Sequence, residues 1–241
     1  MNNGLVIIPT YNEIENVESI IRAVFALNKK FHILIVDDNS PDKTFEKVKE
    51  LQNEFPNQLF LKVGTKKAGL GTAYVLGFKW ALQQQYEYIF EMDADFSHNP
   101  SDLEKLHEAC SVGEADMAIG SRYIRGVNVV NWPLSRVLLS YFASVYVDII
   151  TGMKIHDATA GFICYKKEVL QNIDLDKIKF VGYAFQIEMK YRAFCKGFKI
   201  VEVPIIFTDR TMGQSKMSNG IIKEAVFGVI SLRIKKLFNR L

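Results

Sequence analysis

The sequence predicts an α/β fold: a mostly parallel central sheet flanked by helices, followed by a C-terminal amphipathic helix. Three observations point there. Short apolar runs of β type alternate with amphipathic stretches through the first half of the chain. The runs do not alternate apolar with polar residues, which marks strands covered on both faces, as in a parallel sheet. Polar clusters follow the runs, at the carboxyl ends where open α/β sheets bind their ligands.

The elements follow in order. Residues 5–9, opening Leu5-Val6-Ile7-Ile8, read as a strand, and 15–27 as a helix. Residues 32–36 read as a strand ending in Asp37-Asp38-Asn39-Ser40-Pro41-Asp42, which is strong turn and helix-capping chemistry. A helix over 44–55 follows, then a strand over 59–63. Gly69-Leu70-Gly71 opens a helix running to residue 84, and 88–92 is a strand ending at Asp93-Ala94-Asp95. A helix over 100–110 and a short strand over 117–120 complete this half. The second half is less regular: a long helix over 134–151, a strand over 161–165, a helix over 183–196 and a strand over 199–204. A polar loop over 209–218 leads to the tail helix over 220–241, with Arg233, Lys235, Lys236 and Arg240 near its end. The expected division is a body over 1–218 and a basic helix over 219–241.

The chain has 241 residues, enough for one large domain, and 49% hydrophobic residues, ample for a core. A net charge of +3 is too small to argue for a nucleic-acid partner, and none is expected. Cys110, Cys164 and Cys195 are scattered, which suggests neither a disulfide framework nor a zinc site. A reducing, cytoplasmic setting is therefore expected. No cationic segment precedes the first strand, so no signal peptide is expected. No stretch reaches the ~18–20 uncharged apolar residues that span a bilayer. Residues 137–147 come nearest and are bounded by Arg136 and Asp148.

Asp93-Ala94-Asp95 is the most informative cluster. Two carboxylates one residue apart project to the same side of an extended segment and repel unless a cation or hydrogen bonds intervene. A hard divalent ion held there would in turn hold a diphosphate. The alternative is that Asp93 caps the next helix and Asp95 is solvated. At Asp37-Asp38, one carboxylate could accept hydrogen bonds from a guanine or uracil ring, or the pair could serve the turn alone. Tyr11 and Glu13 sit where base and ribose would then lie, whereas Asn12 could simply cap a helix. The glycines at 69 and 71 could let backbone amides approach an anion, or could merely make a tight turn. Arg122 follows another strand end, Arg136 and Ser140 share a helix face, and Arg210 and Lys216 lie in the polar loop. Guanidinium groups suit phosphate, and several directions of positive charge would converge on one.

These segments together resemble the dolichyl-phosphate (polyprenyl-phosphate) mannose synthases, inverting glycosyltransferases of family 2 with a GT-A fold. The likeness runs from about Leu5 to Lys216. It continues through Gly120-Ser121-Arg122-Tyr123, Asn131-Trp132-Pro133, Asp157-Ala158-Thr159-Ala160-Gly161-Phe162, Gly182-Tyr183-Ala184-Phe185-Gln186-Ile187-Glu188-Met189 and Arg210-Thr211-Met212-Gly213-Gln214-Ser215-Lys216. The resemblance implies a nucleoside pocket at Pro9, Tyr11, Glu13, Val36 and Asp38. It implies Mg²⁺ or Mn²⁺ on Asp93 and Asp95, with Ser97 joining through water, and the Ala94 backbone near the nucleotide. Arg122, Arg136 and Ser140 would hold the acceptor's phosphate, and Arg210 and Lys216 would close over the donor's diphosphate. Asp95, Arg122 and Arg210 would carry the chemistry. The implied substrates are GDP-mannose and a polyprenyl phosphate, met on the cytoplasmic face of a membrane. The alternatives are UDP-glucose as donor, a hydroxyl acceptor with Glu188 or Asp157 as base, or a non-catalytic nucleotide-binding subunit. Leu138, Phe142, Val145 and Ile149 form one apolar stripe, and the tail offers Val226, Phe227, Ile230 and Leu237. These would meet a bilayer, the domain itself, a membrane-anchored partner or a second copy.

Overall fold

The computed structural model describes residues 3–209 and 219–238, with the side chains of Tyr183 and of 219–225 left undescribed. Seven strands form one sheet in the order β3-β2-β1-β4-β7-β5-β8. These are β1 (Gly4–Thr10), β2 (His32–Asp37), β3 (Leu59–Val63), β4 (Tyr88–Glu91), β5 (Met117–Ser121), β7 (Ile163–Lys166) and β8 (Ile200–Pro204). All are parallel to one another except β7, which runs antiparallel between β4 and β5. The expected mostly parallel sheet is therefore present, with one reversed strand near its middle. That reversal turns the start of β7, rather than its end, toward the edge where β1, β2, β4 and β5 finish.

The pleat divides the core in two. Leu5 and Ile7 of β1 face α3 (Leu70–Leu82), α6 (Lys167–Asn172) and α7 (Tyr183–Cys195). Val6 and Ile8 face α1 (Val17–Phe25), α2 (Thr44–Glu54) and α4 (Asp102–Ser111). Each buried aliphatic or aromatic side chain in these layers contributes roughly 1.5–3 kcal/mol. Burial on both faces holds for the central strands. It fails at the edge, where Lys62 and Val63 of β3 are exposed and β8 is only half-buried. Three short elements lie outside the sequence expectation: α6, a 3₁₀ turn at Leu175–Lys177, and a parallel pair made of β6 (Val129–Val130) and β9 (Phe207–Thr208).

α5 (Leu134–Thr151) matches its expected bounds, yet only Ser144, Val147 and Thr151 are buried. Leu138, Phe142, Val145 and Ile149 are all exposed, the last at 75%. Of the described residues, α5 alone forms a helix long and apolar enough to cross a membrane by length and composition. α8 (Asn219–Leu237) packs beside it and against α7, burying Val229 and Leu232. The Tyr146 hydroxyl donates to the Val226 carbonyl at 2.9 Å, tying the two helices. Phe227, Ile230, Ile234 and Leu237 face outward, so apolar residues occupy more than one side of α8.

Gly71 shows how closely α3 is packed. A Cβ there would stand 2.5 Å from the Phe180 carbonyl oxygen and 2.9 Å from the Phe185 ring. Gly71→Ala should therefore lower the free energy of unfolding by about 1–3 kcal/mol, the usual range for overpacking, as read from chemical denaturation.

Candidate active site

The turns after β1 and β2 are interlocked. Pro9 lies opposite Val36 in the ladder, and the Asp38 amide donates to the Thr10 carbonyl at 3.0 Å. Buried Asp37 accepts from the Thr10 hydroxyl at 2.7 Å and from the Ser40 amide and hydroxyl at 2.7 and 2.6 Å. Ser40 Oγ accepts from the Asn12 amide, Thr44 Oγ1 from the Glu13 amide, and Asp42 from the Ile14 amide. Asn12 is thus no helix cap; it takes a left-handed conformation (φ 58°) inside this weave. Asp42 does prepare α2, accepting from the Thr44 amide at 3.0 Å. Tyr11 is half-buried, with Lys67 Nζ 4.2 Å from its ring centre.

Asp38 does something the sequence left open. Its Oδ2 accepts from the Ala68 and Gly69 amides at 2.9 and 3.0 Å. The Gly71 amide donates to the Val181 carbonyl at 3.0 Å. The Ala68 and Gly69 amides just before α3, and the Gly71 amide inside it, are therefore occupied within the protein, and Gly71 serves close packing. Gly69 also takes a φ of +98°, which glycine adopts without strain.

After β4 the chain curls instead of staying extended. Asp95 Oδ1 accepts from the Ser97 amide at 3.1 Å, and Phe96 is left-handed (φ 59°). The curl still brings Asp93, Asp95 and Ser97 to one cavity wall. Asp95 and Ala94 are buried, and Asp93 is half-buried. Ser97 is buried and its Oγ has no hydrogen-bond partner among the described residues. Two carboxylates and a spare hydroxyl form an all-oxygen donor set that fits a hard divalent cation completed by water and phosphate oxygens. Among the described residues, no third His, Cys, Asp or Glu joins them. His98 stacks on Phe162, 4.8 Å between ring centres, and burial holds its pKa below the ordinary histidine range, so it is neutral.

Arg122 is set by a buried ion pair. Its Nε and Nη2 donate to Asp157 at 2.7 and 2.5 Å, its backbone amide adds a third bond at 2.9 Å, and Nη2 also reaches Thr159 Oγ1 at 2.9 Å. Burial alone would raise the Asp157 pKa. The guanidinium outweighs it and holds the carboxyl below its usual range. Arg136 donates to Asp209 at 2.8 Å and stacks on Trp132 at 4.0 Å. Ser140, one turn further along α5, has a buried Oγ beside the Tyr123 hydroxyl with no hydrogen bond of normal geometry. Arg210 and Lys216 lie outside the described residues.

Arg122, Arg136 and Ser140 share a cavity of ≈ 300 Å³ with Asp93 and Asp95. Its other wall is apolar: Leu139, Phe142, Ala143 and Val147 from α5, and Val226 and Val229 from α8. Pro9, Tyr11, Glu13, Val36 and Asp38 do not line it; they sit on the far side of the carboxylates, at the ends of β1 and β2. Neither carboxylate considered as a base reaches the cavity. Asp157 is committed to Arg122, and buried Glu188 accepts from Arg192 at 2.7 Å and from the Lys179 and Phe180 amides at 3.1 and 3.3 Å.

Sequence reasoning assigned no role to Trp132, Gln186, Lys190 or Glu91. Buried Glu91 accepts from Tyr165 at 2.6 Å and from Gln186 Nε2, while Gln186 Oε1, at the cavity wall, has no partner among the described residues. Burial raises the Glu91 pKa and lowers that of Lys190. Lys190 Nζ donates to the Ala158 and Ala160 carbonyls at 3.1 and 2.5 Å, holding the segment that leads into β7. Trp132 and Gln186 each stood inside a matched motif, which was the one signal available for them.

The site thus sets a carboxylate pair between the interlocked turns after β1 and β2 and a cavity that carries Arg122 and Arg136. The chain belongs to glycosyl transferase family 2, whose profile matches residues 5–174. It is 48% identical over 236 residues to polyprenol monophosphomannose synthase of Mycolicibacterium smegmatis, covering 98% of this chain and 89% of that one. It is 45% identical to undecaprenyl-phosphate mannosyltransferase of Micrococcus luteus, covering 93% and 91%. The fold is shared with a mannosyltransferase of Pyrobaculum calidifontis solved with GDP-Man and Mn²⁺, at a TM-score of 0.61, 15% identity, and coverage of 99% and 72%. The protein is a glycosyltransferase.

Because the Asp157 pKa is depressed in the fold, its stabilisation is full above the ordinary value of 3.8 and is lost as pH falls through the folded value. Asp157→Asn should destabilise the protein by about 3–5 kcal/mol at neutral pH, with the gap to wild type closing in acid, as read from denaturation across pH.

Proposed function

We propose that the protein transfers mannose from GDP-mannose to the phosphate of a polyprenyl phosphate, giving a polyprenyl β-mannosyl phosphate and GDP. The observation that carries this reading is the two-ended cavity. Its charged end holds Asp93, Asp95, Arg122 and Arg136, and its apolar end is walled by α5 and α8. An amphiphile with an anionic head fits such a shape. The names of the relatives support mannose and a polyprenyl-phosphate acceptor. The GDP-Man and Mn²⁺ of the Pyrobaculum enzyme support the nucleotide and a divalent ion.

On this reading Pro9, Tyr11, Glu13, Val36 and Asp38 line the nucleoside side, with the Ala94 backbone beside the nucleotide. Asp93 and Asp95, with Ser97 directly or through water, would hold Mg²⁺ or Mn²⁺. When bound, that ion supplies positive charge to offset the donor's diphosphate. Arg122, Arg136 and Ser140 receive the acceptor's phosphate, and Arg210 and Lys216 reach the donor. A phosphate monoester with a second pKa of about 6 is mostly dianionic at neutral pH. It needs no base, in keeping with the commitment of Asp157 and Glu188 to other partners. One acceptor oxygen bonds to the anomeric carbon as the bond to GDP breaks on the opposite face, which inverts the α-linkage. A hydroxyl acceptor would need a base that neither of these carboxylates supplies.

The body of 1–218 and the helix of 219–241 would meet a cytoplasmic membrane surface together. The outward apolar residues of both α5 and α8, with Lys235 and Lys236 near the end of α8, support this.

Asp95→Asn should abolish turnover even in saturating Mg²⁺ or Mn²⁺; a rate near wild type would remove the metal role. Ile149→Glu and Phe227→Glu, at positions 75% and 70% exposed, should weaken flotation with anionic vesicles while sparing transfer to a water-soluble short-chain acceptor. Unchanged flotation would assign those faces to something other than lipid.

A further inference from the structure

We infer that Trp132 is a phosphate-binding residue: its indole N–H donates to the acceptor's phosphate while its ring fixes the two guanidinium groups that share the load. This rests on the cavity being the acceptor site.

The first observation is an unanswered donor. Trp132 Nε1 is buried with no hydrogen-bond partner among the described residues, and the residue lines the cavity. A buried indole N–H normally finds an acceptor, and it can only donate. The cavity surface around it is rich in donors. Arg122 and Arg136 cannot accept, and each of their carboxylate partners is already engaged. A phosphate oxygen carries no hydrogen and has lone pairs to spare, so it satisfies the indole where these side chains cannot.

The second observation is that the ring is held from several sides. Arg136 Cζ stands 4.0 Å and Arg122 Cζ 5.2 Å from its centre. Phe207 meets it edge-on at 5.1 Å. Both guanidinium groups are thus drawn to one ring by its π-electrons. Asp157 and Asp209 anchor them from behind. The β6–β9 pair sets the frame, because Trp132 follows β6 and Phe207 begins β9. The Asp209 amide also donates to the Val130 carbonyl at 3.0 Å, so the Arg136 partner is fixed by the same pair. Trp132, Ser140 Oγ and the two arginines thus form one preorganised donor set facing the same space.

Two variants separate the N–H from the ring. Trp132→Phe keeps an aromatic face and removes the donor; it should raise the acceptor KM about ten- to hundredfold, the loss of one hydrogen bond to a charged group. The KM for GDP-mannose and the kcat at saturating acceptor should stay within about twofold. Trp132→Leu, which also removes the seat for both guanidiniums, should cost more. The protein has two tryptophans, so Trp80→Phe leaves Trp132 as the sole indole emitter. Its emission should shift on adding a short-chain prenyl phosphate, less on adding inorganic phosphate, and not on adding the prenyl alcohol or GDP. An unchanged acceptor KM in Trp132→Phe, or a shift in donor KM or kcat instead, would overturn the assignment and leave the proposed reaction standing. So would an emission that responds to GDP but not to prenyl phosphate. Absence of any transfer to prenyl phosphate by the wild type, with Trp132 emission still responding to inorganic phosphate, would sink the proposed reaction and keep the phosphate site.

Discussion

The Arg122–Asp157 pair is the interaction on which the site depends. It joins the end of β5 to the segment leading into β7, and both side chains are withdrawn from water. A buried ion pair is costly to desolvate and holds only when its remaining donors and acceptors are matched. Here they are. Asp157 takes three bonds from Arg122, and its amide donates to Glu202 at 3.0 Å. Thr159 takes a further guanidinium proton. The result is a cation whose direction is set by β-structure on both sides, with ring faces from Trp132, Tyr123 and Phe207 around it. On the proposed reading this matters, because a group that receives an anion gains most when it is aimed before the anion arrives.

That geometry follows from the reversed strand. Had β7 run parallel to its neighbours, residues 157–161 would lie at the opposite edge of the sheet from Asp93 and Asp95. Running antiparallel, it delivers Thr159, Ala160 and Gly161 to the cavity, and Lys190 clamps their backbone from α7. The sequence carried no sign of the reversal. Ile163-Cys164-Tyr165 is buried on both faces, and a strand buried on both faces looks the same in either direction. The longer apolar runs were legible from their length and flanking turn residues, and Leu59–Val63 and Leu134–Thr151 match to the residue; their partial exposure was not, because an apolar run reads the same whether or not something covers it. The β6–β9 pair was not, since two residues have no period. Local chemistry was half-legible. Asp38 and the glycines at 69 and 71 were seen as a site or a turn, and the decision lay in contacts with 68–69 and 180–181, far apart in the chain. The Asp93–Ser97 curl was missed because it depends on a left-handed phenylalanine, which composition does not announce.

Among the described residues, four of the eight buried side-chain polar atoms without a hydrogen-bond partner gather at one place. Those of Ser97, Trp132, Ser140 and Gln186 line the cavity, while those of Tyr74, His107, Tyr123 and Tyr191 do not. Elsewhere the buried charges are closed circuits: Glu188 with Arg192 and two amides, Glu91 with Tyr165 and Gln186. An open donor or acceptor inside a protein costs about 1–3 kcal/mol, so this wall of the domain is held at some expense to stability. Rigid elements underneath it make that tolerable. α5 contributes Arg136 and Ser140 from a continuous helix, and the small two-stranded pair fixes the segment opposite.

α5 and α8 have one further consequence. They wall the cavity with some side chains and turn others outward, so the same two helices border both the charged cavity and the exterior. On the proposed reading, a lipid acceptor running along such a wall would stay embedded for most of its length and would reach the protein by lateral diffusion in a plane, its supply set by surface density rather than bulk molarity.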